Sequence, residues 1–415
     1  MSTHLTPERL KVIQATAPAV ADNIFKITPV FYDKMLGENP ALYEFFNKSN
    51  QRNNRQPDAF GRAISPDDKD AGGQAATLSQ SVLAAVAHLE HLEGIAGPAQ
   101  RILHKHAALG IMPEHYQTVH DYFLKATAEV LGDAVTPEVA DAWSGALLHV
   151  AEFFVKHETD LYDATTTKAG WDTRQAKEFT VFKVENASNC MKSIYFKPKD
   201  GKGLPAFTPG QYVTVKHNPT PAPHFAPRHY TLSSPTPIGG ALRISVRHLK
   251  GTEGNPDGVM SSFLNSELKE GAIILLRHPF GTFTWESSAA FSNVALLTAG
   301  SGITPALAMI KPMRDAGKNV VHWHSDKSPE AVAHANEIEA TGAKCIRYFD
   351  GRANFSTDNL IEQLSDAGIN LADSQTCVYL CMPPAMLLTV RDAVEAAGVS
   401  DKARCFYEPY GPGIV

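Results

Sequence analysis

Residues 165–184 read Thr165-Thr-Thr-Lys-Ala-Gly170-Trp-Asp-Thr-Arg-Gln-Ala-Lys-Glu-Phe179-Thr-Val-Phe-Lys-Val184, and along them the apolar spacing changes from helical steps to a period of two. Before this stretch, from Thr6 to about Tyr162, apolar residues recur at steps of three and four, which predicts an all-α unit. Its helix ends are legible: Gly132 is a stop, and Thr136-Pro137-Glu138 supplies an N-cap, a first-turn proline and a first-turn acid. Pro57 to Gly73 break the helical pattern and read as a loop. After the stretch, Phe179–Val184, Gln211–Val215 and Leu242–Val246 alternate as strands with Pro and Gly between them. From about Asn293, short apolar strands (Val294–Thr298, Val320–Trp323, Cys377–Leu380) are each followed by a helical stretch, the signature of a parallel α/β sheet. Thr165–Gly170 reads as a linker. The expected fold is therefore multidomain: an all-α domain over 1–164, an antiparallel β-barrel over 174–287, and an α/β parallel-sheet domain over 290–415.

The length of 415 residues agrees with more than one core. Hydrophobic residues at 43% and charged residues at 20% exclude a disordered or collagen-like chain and a disulfide scaffold. A net charge of −6 argues against a nucleic-acid partner, because phosphate attraction needs excess positive charge. No run approaches the roughly 18 apolar residues that cross a bilayer, and Met1-Ser2-Thr3-His4 lacks the build of a signal peptide. A cytoplasmic monomer without membrane insertion is expected. Five scattered cysteines with no C-x-x-C pair read as reduced, mostly buried thiols.

Two polar residues fall on apolar helical stripes. Ile102, His106 and Leu109 stand at i, i+4 and i+7, so His106 is expected to point into the interior. Trp143, Leu147, Val150, Phe154 and Leu161 mark the core face of the last helix, and Glu158 lies on that face. A buried carboxylate is costly without a partner. Either residue alone is more often simply satisfied inside a core. Together they supply what a metal-bound imidazole needs, a second N–H given to a carboxylate that orients the ring and raises its basicity.

Phe31-Tyr32, Phe45-Phe46-Asn47, Ser49-Asn50-Gln51-Arg52-Asn53, Lys105-His106, Pro113-Glu114-His115-Tyr116 and Glu158 together resemble the heme domain of the flavohemoglobin family. The resemblance implies a globin domain in which His106 is the proximal ligand to the iron of heme b, with Tyr116 and Glu158 as its hydrogen-bonding partners. It makes Tyr32 the distal hydroxyl and sets Phe46 on the heme face. Two distal glutamines fit the family pattern, Gln56 with Phe60 and Gln74 with Leu78; the unbroken amphipathic helix from Gln74 favours Gln74 and Leu78.

The middle third carries Pro209-Gly210-Gln211-Tyr212 and Arg228-His229-Tyr230-Thr231. An arginine can clamp a pyrophosphate while a tyrosine two residues on, on the same side of a strand, stacks on a planar ring. Gly258-Val259-Met260-Ser261 opens a short helical segment whose N–H groups suit phosphates. These residues resemble the FAD domain of ferredoxin-reductase-type enzymes, which implies that Tyr212, Arg228, His229, Tyr230, Thr231, Val259, Met260 and Ser261 contact FAD.

In the last third, Gly300-Ser301-Gly302-Ile303-Thr304-Pro305 leaves a strand and opens a helix, allowing close approach of a pyrophosphate. It resembles the NAD(P)H-binding turn of the same reductases. Tyr379-Leu380-Cys381-Met382-Pro383-Pro384 resembles the family's Cys-Gly-Pro turn with Met382 in the place of glycine, which predicts a changed backbone there. Glu408-Pro409-Tyr410-Gly411-Pro412 resembles a terminal motif whose aromatic covers the flavin, and the family also places Lys105 and Glu408 where they tune transfer between flavin and heme.

The resemblance implies a nitric oxide dioxygenase: NAD(P)H reduces FAD, FAD passes single electrons to heme, and O2 bound there oxidises nitric oxide to nitrate. Two alternatives stand beside it, a heme-based O2 or nitric oxide sensor, and an NAD(P)H flavin reductase with a globin appendage.

Overall fold

A computed structural model of the chain describes residues 4–46, 73–217, 227–251, 257–349, 355–399 and 402–410. The N-terminal helices are α1 (Pro7–Glu38), α2 (Gln74–Ala87), α3 (Ala96–Leu109), α4 (Pro113–Leu131) and α5 (Pro137–Ala169). Ile24, Ile27, Phe31 and Met35, one stripe of α1, pack against Phe123 of α4 and Trp143 of α5. A buried hydroxyl pair, Thr28 with Ser79 at 2.8 Å, joins α1 to α2.

Helix α5 starts as expected, with Thr136 Oγ1 accepting from the Val139 amide at 3.3 Å. It does not end as expected. The stretch 165–169 taken for a linker is helical, so α5 runs past position 164 and stops at Gly170, whose φ is 73°. The threonines hold the extra turn by local bonds: the Thr165 and Thr167 hydroxyls donate to the carbonyls of Leu161 and Asp163, each at 2.9 Å. Weak helix propensity was overridden by these contacts and by Thr173, whose amide donates to Thr166 Oγ1 at 3.0 Å.

The middle strands are β1 (Lys177–Asn186), β2 (Met191–Pro198), β3 (Tyr212–Lys216), β4 (Arg228–Thr231), β5 (Leu242–Arg247) and β6 (Ile273–Leu276). They pair antiparallel in the order β4-β3-β6-β1-β2-β5. The bridge between Leu232 and Ile244 brings the chain beyond β4 back onto β5 and closes the barrel around Phe179, Ile194, Phe196 and Val213. Between β5 and β6 the expected helical segment is one α-turn, α6 (Val259–Ser262), continued by a π-turn over Phe263–Glu267.

The last unit alternates β7 (Asn293–Ala299), α7 (Ile303–Asp315), β8 (Asn319–Ser325), α8 (Ala335–Glu339), β9 (Lys344–Tyr348), α9 (Thr357–Asp366), β10 (Thr376–Cys381), α10 (Pro384–Ala396) and β11 (Cys405–Tyr407). Its five strands are parallel in the order β11-β10-β7-β8-β9. The order reverses between β7 and β10, so Ala299 and Cys381 end side by side at the switch point where such sheets bind nucleotides. Among the described residues no helix is long and apolar enough to cross a membrane. All five cysteines are free, and Cys377, Cys381 and Cys405 are buried.

Candidate functional site

Helix α3 carries His106 in its last turn, and α5 brings Glu158 opposite it. Glu158 is buried, and its Oε1 lies 2.7 Å from His106 Nδ1. The Tyr116 hydroxyl, from the first turn of α4, donates to the same oxygen at 2.7 Å. With the carboxylate oxygen accepting both bonds, Nδ1 carries the proton and Nε2 is left as the lone-pair nitrogen; among the described residues no hydrogen bond engages Nε2. That donor set fits a single imidazole bond to iron. The stripe Ile102–His106–Leu109 is only half-buried, whereas Ala99, Leu103 and Ala107 are the fully packed side of α3.

Tyr32 on α1 is buried and its ring meets Phe46 edge-on at 5.8 Å. Burial pushes its phenol pKa up, opposed by a hydrogen bond with Gln74 at the start of α2, so it remains a protonated donor at physiological pH. Leu78, one turn further along α2, packs on the same core. Gln56 and Phe60 lie outside the described residues.

Antiparallel pairing of β3 with β4 puts Tyr230 opposite Val213 and His229 opposite Thr214. Arg228 and Tyr230 therefore share one side, as the period of two predicts, and His229 and Thr231 share the other with Tyr212 and Thr214. This second side faces α3. Tyr212 packs with Phe280, Ala107 and Ala108, and its ring lies 4.7 Å from that of His229. Burial, with Lys105 and Arg228 nearby, brings His229 down to about 3, so its imidazole is neutral. Lys105 and Glu408 are electrostatic neighbours across the same seam; burial pushes Glu408 up and Lys105 down, and each partly offsets the other.

Tyr410 presents a ring 44% exposed while its hydroxyl is anchored to Thr304 Oγ1 at 3.0 Å. An aromatic face held at its polar end and open elsewhere fits a planar ring such as isoalloxazine. At the β7 turn, Gly300 has φ 55°, and a Cβ on Gly302 would stand 1.8 Å from the Cys381 carbonyl oxygen. The turn thus lies directly against the end of β10. Above it sits Arg247 from β5, its guanidinium carbon 3.7 Å from where a Gly300 Cβ would be and its buried Nε without a partner among the described residues. An orphaned cationic donor beside a glycine turn fits a nucleotide phosphate.

Arg247 is also paired with Asp326 Oδ2, and His324 Nε2 lies 3.5 Å from that oxygen. Burial raises the Asp326 carboxyl, but the contact with His324 and the bonds from Arg247 and the Lys327 amide outweigh it and bring the pKa down from 3.8 to about 2. The folded-state pKa is depressed, so the stabilisation is complete above about 4 and is lost as pH falls through about 2. The melting-temperature difference between wild type and Asp326→Asn, read by calorimetry, is expected to shrink across that window. A difference that stays constant down to pH 2 removes the pair from the stability of this interface.

The globin family profile matches residues 30–154, and that of the oxidoreductase FAD-binding domain matches residues 178–285. A flavohemoprotein of Halalkalibacterium halodurans is 33% identical over 98% of this chain and 97% of its own length. The chain belongs to the flavohemoprotein family. Flavohemoprotein A of Dictyostelium discoideum is likewise 33% identical, over 98% of each chain. Among solved structures, the flavohemoglobin of Malassezia yamatoensis, determined with bound FAD and heme, superposes with a TM-score of 0.78 at 25% identity, covering 98% of this chain and 100% of that one.

On the flavohemoprotein fold the expected residues separate by what their side chains do. Met260 belongs to the barrel core, and Ser261 Oγ is used locally, accepting from the Leu249 amide at 3.3 Å and donating to the Gly258 carbonyl at 2.9 Å. Val259 is exposed, so at α6 the backbone N–H groups of a single turn are what remains for a phosphate. Ile303 and Pro305 are core side chains of α7, and Ser301 offers its half-buried backbone beside them. Met382 does not need a glycine conformation: it lies outside the left-handed region, and its side chain enters the sheet core. Pro409 is buried beside Glu408, while Gly411 and Pro412 lie outside the described residues. Thr214, His104 and Arg247 were not read as functional from sequence. Each acts through a partner far along the chain, and no local spacing signals it.

Proposed function

We propose that this flavohemoprotein is a nitric oxide dioxygenase that oxidises nitric oxide with O2 to nitrate, using NAD(P)H electrons delivered through FAD to heme b. The observation that carries this reading is that one helix serves two sites. On one flank of α3, His106 is hydrogen-bonded to Glu158, which Tyr116 also bonds; on the other, the Ala108 carbonyl accepts from Thr214 of β3 and Lys105 is an electrostatic neighbour of His229 of β4, the strand that bears Arg228 and Tyr230. A sensor has no use for a reductase docked on its ligand helix, and a bare flavin reductase has no use for a buried carboxylate behind His106.

When bound, FAD takes a hydride's electron pair from NAD(P)H and releases it singly, and heme iron supplies the centre at which O2 is activated toward nitric oxide. The chain's own residues do the rest. His106 would hold the iron through Nε2, and Glu158 would orient the ring by accepting the Nδ1–H hydrogen bond. Tyr32, kept protonated by burial and hydrogen-bonded to Gln74, would donate into the distal side. Arg228 and Tyr230 would hold FAD, with Tyr410 over its ring, and Arg247 with the Gly300–Gly302 turn would hold the nucleotide phosphates.

The test is stopped-flow nitric oxide consumption by the purified holoprotein with NADH and O2, with nitrate measured as product. NADH oxidation that leaves nitric oxide untouched would support the flavin-reductase alternative, and nitric oxide binding without turnover would support the sensor. Within the same reading, Tyr32→Phe is expected to release O2 about tenfold faster in flash photolysis, the loss of one charge-assisted hydrogen bond. An unchanged release rate would show that Tyr32 does not face the ligand.

A further inference from the structure

The carbonyls in the last turn of any helix lack partners further along it. At the end of α3 the His106 carbonyl is closed by the amides of Gly110 and Ile111, at 2.9 and 3.0 Å, and the Ala107 carbonyl by the Gly110 amide at 3.0 Å. The Ala108 carbonyl is satisfied from another domain: the wholly buried Thr214 hydroxyl of β3 donates to it at 2.7 Å. A threonine hydroxyl has one proton. Since that proton goes to Ala108, the second contact, His229 Nδ1 at 2.8 Å, runs from the imidazole N–H to the hydroxyl oxygen. His229 is thereby held in one tautomer, against the ring of Tyr212. A parallel tie runs from the Gly281 amide to His104 Nδ1 at 3.0 Å.

We propose that Thr214 is a positioning residue for electron transfer, a rigid link through which the strands of the flavin site are registered on the helix that bears His106. The proposal rests on the reading above, that electrons pass from flavin to heme. Thr214 touches neither the nucleotide turn nor His106. Its effect is confined to the seam between the domains, two residues from the proximal histidine and directly across the β3–β4 pair from His229.

Thr214→Val keeps the shape and removes the hydroxyl, and Thr214→Ser keeps the hydroxyl. The holoproteins are mixed with NADH without oxygen in a stopped-flow spectrometer that follows flavin bleaching and heme reduction separately. Thr214→Val is expected to bleach flavin at the wild-type rate and to reduce heme about tenfold more slowly, with Thr214→Ser restoring the second phase. Hydrogen–deuterium exchange of the last turns of α3, measured with and without heme, is expected to accelerate in Thr214→Val and not in Thr214→Ser. Heme reduction at the wild-type rate in Thr214→Val overturns the proposal, as does equal slowing of both phases. Wild-type protein whose flavin bleaches while its heme stays oxidised overturns the functional reading itself and the proposal with it.

Discussion

His106→Ala is expected to yield a protein that has lost its Soret band while NADH still bleaches its flavin at the wild-type rate. The alanine removes the single lone-pair nitrogen that the Glu158 and Tyr116 bonds leave on this helix. It also leaves the buried Glu158 with one fewer partner, a loss of about 2 kcal/mol within a domain whose helical core is otherwise untouched. Nitric oxide consumption should fall at least about 100-fold, since a misplaced or missing reacting centre costs that much or more. Added imidazole, which can occupy the space vacated beside Glu158, is expected to restore part of the heme spectrum. Full heme content with unchanged turnover in His106→Ala would sink the site assignment.

Gly302→Ala is the complementary experiment. The backbone at Gly302 is ordinary for any residue, with φ −61°, so the obstacle is space: the new Cβ would meet the Cys381 carbonyl oxygen at 1.8 Å and its carbon at 2.6 Å. Neither atom can retreat cheaply, because Cys381 closes β10 between β7 and β11 in the sheet core. The turn must shift instead, and a displacement of about 1 Å at a nucleotide site costs roughly 100-fold in rate. Flavin bleaching by NADH should slow by that factor, and overpacking should lower stability by about 1–3 kcal/mol. The heme spectrum should stay intact. Wild-type bleaching in this variant would mean that the Gly300–Gly302 turn does not seat the nucleotide.

Much of this arrangement could be read from local pattern. The change of period after Gly170 separates helices from strands, and the strand–helix alternation after Asn293 marks the parallel sheet. The stripe positions of His106 and Glu158 singled out two residues 52 apart that meet at 2.7 Å. Where local reading failed, a contact outweighed a propensity. Thr165–Thr167 are poor helix formers, yet back-bonding and Thr173 carry α5 through them.

The amino-acid sequence by itself determined the three kinds of domain, their order and the residue types at each proposed cofactor position, because periodicity, caps and glycine turns are set by neighbours within a few residues. Tertiary structure alone decided how the three sites address one another: Thr214 reaching Ala108 across 106 positions, Arg247 reaching Asp326 across 79, and Lys105 facing Glu408. Those contacts arise when whole domains dock, and docking depends on the shape and charge of finished surfaces, which no short run of residues encodes.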